Sequence, residues 1–143
     1  MTPLFDRATI LVRTQAQKEI IDITGRVQGV VDTLGIGQGA VLLYCPHTTC
    51  ALTVNEVADP SVRGDVSRAL AALVPKIPFR HSEGNSPAHF LAALLGPSLL
   101  LPVEEGGLAL GTWQGVYLCE FDGPRTRSVW VYPLSVDAPK TRD

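Results

Sequence analysis

The stretch SLLLPVEEGGLALGTWQGVYLCEFDGPRTRSVWVYPL, from Ser98 to Leu134, decides the fold. Ser98 to Val103 reads as a strand, and Gly106-Gly107 turns the chain back. Leu108 to Thr112 and Gly115 to Phe121 read as two further strands. Gly123-Pro124 then turns into a last one, Ser128 to Leu134. Short apolar runs rich in β-branched and aromatic residues, punctuated by glycine and proline, form meanders.

Upstream, Ala8 to Thr14 alternates with Ile10 and Val12 on one face, which is a strand pattern, and Glu19 to Ile23 reads as a second strand. Thr24 is placed to cap a helix running through Val27, Val30, Val31 and Leu34 and stopped by Gly35. Ala40 to Cys45 and Ala51 to Glu56 are strands, the second ending on polar Asn55 and Glu56. Asp59 as N-cap and Pro60 at the first helical position start a helix whose apolar face is Val62, Val66, Ala69, Leu70, Leu73 and Val74. Ser86 as N-cap, Pro87 just inside and Gly96-Pro97 just past the end frame another. Strands dominate, two or three helices interrupt, and the last third is meander-like. The expected class is α+β, with mostly antiparallel or mixed sheets rather than a doubly wound α/β sheet.

The chain has 143 residues, which favours one domain, 1–143, with a flexible tail at 135–143. It is 45% hydrophobic and 18% charged, too apolar for disorder. The mean hydropathy of +0.18 suits either a well-filled core or a face covered by a partner subunit. A net charge of −2 gives no broad basic field for nucleic acid. The N-terminus lacks a signal-peptide hydrophobic region, and no apolar run is long enough to span a bilayer. A cytoplasmic protein is expected. Three cysteines without a C-x-x-C pair read first as small buried strand residues. A thiol nucleophile at Cys50 near His47, or zinc thiolate, are the alternatives.

All three histidines lie in motifs that resemble site linings. His47 follows Pro46 at a strand exit and leads into Thr48 and Thr49, whose hydroxyls and amides suit an oxyanion; a structural hydrogen-bonding role competes. His81 and His89 bracket the run HSEGNSPAH. They stand beside a helix start whose free amides, near Ala88 and His89, favour anions. Two or three imidazoles there suit a divalent metal, zinc or magnesium, and a phosphorylated small molecule. An exposed loop His81 and a capping His89 are the plainer alternative. Glu83 and Glu56 are candidate bases, ligands or orienters of an imidazole, and Asn85 a candidate catalytic or turn residue. Asn55, Asp59, Trp113 and Gln114 are further candidate ligand contacts, although capping accounts for Asp59 and a core position for Trp113. Arg80 suits a phosphate or plain solvent. No P-loop, dinucleotide fingerprint or G-x-S-x-G elbow occurs, which disfavours those chemistries.

Three segments together resemble the YjbQ family: PHTTCALTVNE (Pro46 to Glu56) with Ala58-Asp59-Pro60, HSEGNSPAH (His81 to His89), and GLALGTWQGVYL (Gly107 to Leu118). The likeness runs from about Thr14 to Leu134. It implies a compact α+β subunit, assembly as a homotrimer, and a weak, secondary thiamine-phosphate synthase activity. That reaction joins a hydroxymethylpyrimidine diphosphate to a thiazole phosphate and expels pyrophosphate. It also implies metal binding at the matching positions His47, His81 and His89. Cys50 departs from the pattern, where Ser or Ala is more usual. The competing view is a non-catalytic homotrimer that binds a small ligand or a metal.

Overall fold

The computed structural model describes residues 7–135. The expected loose tail, 135–143, lies outside them except for the backbone of Ser135. Two antiparallel sheets carry the fold. The larger is ordered β1 (Ala8–Arg13), β8 (Thr126–Ser135), β3 (Gly39–Tyr44), β5 (Ser98–Glu104), β6 (Gly107–Leu108). The smaller is ordered β2 (Glu19–Asp22), β7 (Gln114–Glu120), β4 (Cys50–Glu56). Helix α1 (Thr24–Leu34) joins β2 to β3, and α2 (Pro60–Leu73) and α3 (Ser86–Leu95) lie between β4 and β5. The α+β class is as expected. No helix among the described residues is long and apolar enough to cross a membrane.

Alternation in the strands builds two cores. Ile10, Val12, Val41, Leu43, Val129 and Val131 point from the larger sheet toward Leu52, Val116 and Leu118 of the smaller, and α1 adds Val27 and Val31. The opposite face of the smaller sheet, with Ala51, Tyr117 and Cys119, packs on Ala88, Leu91 and Ala92 of α3. Strand β7 is therefore buried on both faces, with Tyr117 and Glu120 on opposite sides as the alternation requires. All three cysteines are free and buried.

Four details differ from the sequence expectation. Thr24 is the first helical residue of α1 rather than its cap, because Asp22 Oδ1 accepts both its N–H and its hydroxyl. Leu108–Thr112 yields only the two-residue β6; Gly111 and Gln114 then close a turn by mutual hydrogen bonds. The N-cap of α3 is Asn85, one residue before Ser86. Helix α2 begins as expected, with Asp59 Oδ1 accepting from Ser61 N–H at 2.8 Å, yet no residue of it is fully buried and Leu73 is 55% exposed. Its apolar stripe is covered on one side only.

Two glycines meet conformational demands. Gly35 ends α1 in the left-handed region at φ 67°. Gly115 lets β7 pass under the β4–α2 connection: a Cβ there would lie 2.8 Å from Val57 Cβ and 3.1 Å from Thr24 Oγ1. Both neighbours are fixed, Thr24 by the N–H of Val116 and Val57 by its own N–H bond to Trp113 O. Gly115→Ala is expected to destabilise the protein by about 1–3 kcal/mol through overpacking. Gly25→Ala, with nothing within 4 Å of the added carbon, serves as the control. Urea unfolding of the two variants checks this.

Candidate functional site

Beyond α2 the chain runs exposed through Pro75 and Pro78 to His81. Gly84, at φ 76°, then reverses it, with its N–H donated to His81 O. Pro87 sets the first turn of α3, and His89 comes round to face back along the segment. The His81 and His89 rings meet edge to face with centroids 5.5 Å apart. The convergence expected from the run HSEGNSPAH is thus observed for these two. The helix amides are not free as expected: Ala88 N–H and His89 N–H both donate to Asn85 O, at 3.0 and 3.3 Å.

Asn85 ties this segment to the rest of the molecule. Its Nδ2 donates to Asp122 Oδ2 at 3.0 Å, while its Oδ1 is buried without a partner among the described residues. Asp122 also pairs with Arg125 at 2.9 Å. The Asn85 hydrogen bond, opposed by burial and helped by Arg125, holds the Asp122 carboxyl below its usual range. Beside the segment lies a cavity of about 350 Å³ walled by Lys18, Glu83, Asn85, Leu91, Phe121 and Asp122. Glu83 is exposed at its rim.

His47 is placed differently. It leaves β3 through Pro46, and its Nε2 accepts the Ser128 N–H at 2.9 Å. Burial, helped by Arg127, lowers its pKa. A neutral imidazole that accepts on Nε2 carries its proton on Nδ1, which leaves neither nitrogen for a metal in this orientation. His47 in this orientation therefore offers no nitrogen to a metal shared with His81 and His89. Among the described residues no group of three His, Cys, Asp or Glu side chains is arranged to hold a metal.

The threonines divide likewise. Thr48 is exposed. Thr49 is buried, and its hydroxyl and carbonyl accept from Arg127 Nη2 at 2.7 and 3.3 Å. Arg127 in turn grips Glu120 through two bonds, Nε to Oε2 at 2.7 Å and Nη2 to Oε1 at 2.5 Å. Thr14 Oγ1 and Asp122 N–H complete the carboxylate's partners, each at 2.9 Å. Burial alone would raise the Glu120 carboxyl, but the hydrogen bonds from Arg127, Asp122 and Thr14 outweigh it and hold the group below its usual range. Cys45 and Cys50 lie alongside, with sulfurs 3.1 Å apart. Burial pushes the Cys119 thiol up to about 12, which does not suit a nucleophile.

Glu56 and Asn55 belong to a second, smaller cleft between β4 and α2, of about 10 Å³, room for one water. Tyr117 OH donates to Glu56 O at 2.9 Å, and Asn55 Oδ1 accepts from Glu56 N–H. Arg63 stands over the Tyr117 ring at 5.2 Å with a buried, unpartnered Nε. Trp113 is 63% exposed and not in the core. Gln114 is engaged by Gly111, and Asp59 is an exposed cap. The structure adds Lys18, Arg63, Asp122 and the Arg127–Glu120 pair to the residues of interest. One charge inside the apolar run Val116 to Phe121 was the signal for the pair, since a carboxylate in a buried strand requires a partner.

The fold and the sequence are both shared with known proteins. The family model described as UPF0047 protein YjbQ-like matches residues 8–135, and the chain belongs to that family. It is 46% identical to the UPF0047 protein YugU of Bacillus subtilis over 86% of this chain and 95% of that one. It is 41% identical to a UPF0047 protein of Methanocaldococcus jannaschii, over 84% and 88%. Solved structures agree. An uncharacterized conserved protein of the family from Clostridium acetobutylicum aligns with TM-score 0.83 at 45% identity, covering 87% of this chain and 97% of that one. A protein of unknown function from Sulfolobus solfataricus aligns with TM-score 0.85 at 34% identity, over 92% and 97%.

Arg127→Met leaves a buried carboxylate unpaired and is expected to cost about 3–5 kcal/mol, whereas the Glu120→Leu/Arg127→Met double variant recovers most of that loss. Urea midpoints at constant slope check the comparison. The pH dependence follows from the same groups. Glu120 and Asp122 are depressed in the fold, so their contribution is complete above their unfolded pKa values, about 4, and is lost as pH falls through the folded ones. His47, also depressed, adds a limb that begins below its unfolded value of about 6.5. Stability is expected to decline from there into acid, with a shallower acid slope below about pH 4 in the double variant.

Proposed function

We propose that His81 and His89 hold a divalent metal ion beside the Lys18–Glu83–Asn85–Asp122 cavity, and that this site binds a small phosphorylated substrate. The observation that carries the reading is the pair of imidazoles 5.5 Å apart at the two ends of the segment whose Glu83, Gly84, Asn85, Pro87 and Ala88 wall a polar cavity of about 350 Å³. Two imidazole ligands favour zinc over magnesium, which prefers oxygen donors, and leave positions for substrate oxygens and water. His47 stays outside this set as a structural acceptor.

The activity that fits best is a weak, secondary thiamine-phosphate synthase reaction in the cytoplasm. A bound metal would supply charge neutralisation for the departing pyrophosphate. The chain's own groups do the rest. The Lys18 ammonium faces a phosphate in the cavity. The unpartnered Asn85 Oδ1 accepts a ring amine, and Asp122 fixes the Asn85 amide that presents it. Glu83 is the cavity carboxylate without a fixed partner among the described residues, placed to accept a proton. Glu56 lines the separate cleft under α2 and is not part of this cavity's wall.

The same reading has the subunits form a homotrimer. The outer face of the larger sheet supports it, with Leu11 and Leu100 64% and 65% exposed beside Tyr44 and Trp130, whose rings stack at 6.1 Å. An apolar sheet face of this kind is normally covered. Non-catalytic ligand or metal binding is the second reading. It is favoured by the tie of Asp122 to Asn85 and Arg125, which leaves Glu83 alone as a base.

Elemental analysis of protein purified without chelator or affinity tag tests the metal. The His81→Ala/His89→Ala variant is expected to fall from about one bound zinc per chain to none, and to lose thiamine-phosphate formation by about 100-fold or more with its circular dichroism unchanged. Retained metal and activity would refute the site. Glu83→Gln separates the two readings. Loss of turnover with metal retained is expected of the enzyme, and wild-type protein that binds zinc and both substrates without turnover would leave only the binding role.

A further inference from the structure

Cys45 and Cys50 bracket the turn Pro46-His47-Thr48-Thr49. Cys45 directly follows β3 in the larger sheet, and its N–H is fixed on Pro97 O at 2.7 Å. Cys50 is the first residue of β4 in the smaller sheet. Their sulfurs are 3.1 Å apart, close enough for one thiol to donate a hydrogen bond to the other. Both residues are only 1% exposed, so packing holds the sulfurs together rather than chance contact of mobile side chains. The flanking turn is pinned from both sides, by Ser128 N–H on His47 and by Arg127 on Thr49. Cys119 belongs to the other core, across the smaller sheet. The fold thus selects one pair out of three thiols.

We infer that Cys45 and Cys50 are a redox-modification site, a dithiol that closes to an intramolecular disulfide and so staples the two sheets together next to the Arg127–Glu120 pair. The oxidant is a small peroxide. One sulfur attacks a peroxide oxygen, the O–O bond breaks, and a sulfenic acid and one water form. The second sulfur then attacks the sulfenic sulfur, the S–S bond forms, the S–O bond breaks, and a second water leaves. Two electrons pass from the sulfurs to the peroxide, and two thiol protons leave in the water. Burial sets the selectivity: a molecule the size of hydrogen peroxide reaches the pair through local opening, while bulky oxidants are slowed. In a reducing compartment the bond is transient and reports exposure to oxidant.

The test treats the folded, reduced protein with graded hydrogen peroxide, quenches with catalase, then unfolds and alkylates it for intact-mass and peptide analysis. The expected product has lost two hydrogens, takes up one alkyl group in place of three, carries its cross-link between Cys45 and Cys50, and reverts with dithiothreitol. Cys119→Ser is expected to form the same bond, and Cys50→Ser to form none within the chain. Protein oxidised in urea is expected to scramble among all three pairings, which separates the folded geometry from sequence proximity. Three alkylated cysteines after a dose that oxidises the methionine, or a native cross-link that uses Cys119 or joins two chains, would overturn the inference. Wild type and Cys119→Ser decide the matter even if Cys50→Ser does not fold.

Discussion

The buried pair Arg127–Glu120 is the constraint on which the two-sheet arrangement depends. Both residues are almost inaccessible, at 4% and 0% exposure, and both stand in strands, one in each sheet. Removing two charges from water is expensive, and their attraction offsets this only when every lone pair and proton is matched. Here the matching draws on Thr14 beyond β1, Thr49 before β4, and Asp122 beyond β7. Four separate stretches of chain must therefore arrive together before the charges are satisfied. A one-residue slip in β7 or β8 would turn one partner to the wrong face and strand the other. The network's worth is register rather than net stabilisation.

Most strands and helix starts were legible because they depend on neighbours in sequence. Alternation placed Ile10 and Val12 inward, Gly35 stopped α1, and Asp59-Pro60 opened α2. The misjudged α2 stripe, Trp113 and Leu108 to Thr112 share one physical cause: periodicity says which residues lie on one face but not what covers that face. The stripe of α2 has helical spacing, yet its covering from the same chain is incomplete. Trp113 is large and aromatic, which favours a core, but it rides on the Gly111–Gln114 turn, outside the sheets. Leu108 to Thr112 has strand composition, yet it loses its pairing partner after Leu108, once Gly107 and Leu108 have paired with Glu104 and Val103.

The two histidine motifs show the same limit at the site. As sequence, Pro46-His47-Thr48-Thr49 and the run from His81 to His89 look equally suited to binding. What separates them lies far along the chain. Ser128, 81 residues on, occupies the His47 imidazole, and Arg127, 78 residues on, occupies the Thr49 hydroxyl. Those long-range bonds turn the first motif into part of the sheet junction. Among the described residues no such partner reaches the His81 and His89 rings, which meet each other. The second motif therefore keeps the free nitrogens.

Asp122 joins these two regions. Its backbone N–H donates to Glu120 Oε1 inside the junction, while its side chain accepts from Asn85 and Arg125 at the cavity wall. Asn85 in turn holds the first turn of α3 through its carbonyl, and so sets the direction in which His89 leaves the helix. The helix itself is anchored by Ala88, Leu91 and Ala92 against Ala51, Tyr117 and Cys119. One imidazole of the pair is thus fixed by the core, whereas His81 stands on an exposed segment after Pro78 that reverses at Gly84. A ligand bridging the two rings would order His81 against a frame already built, and the geometry of that frame traces back through Asp122 to the buried charges.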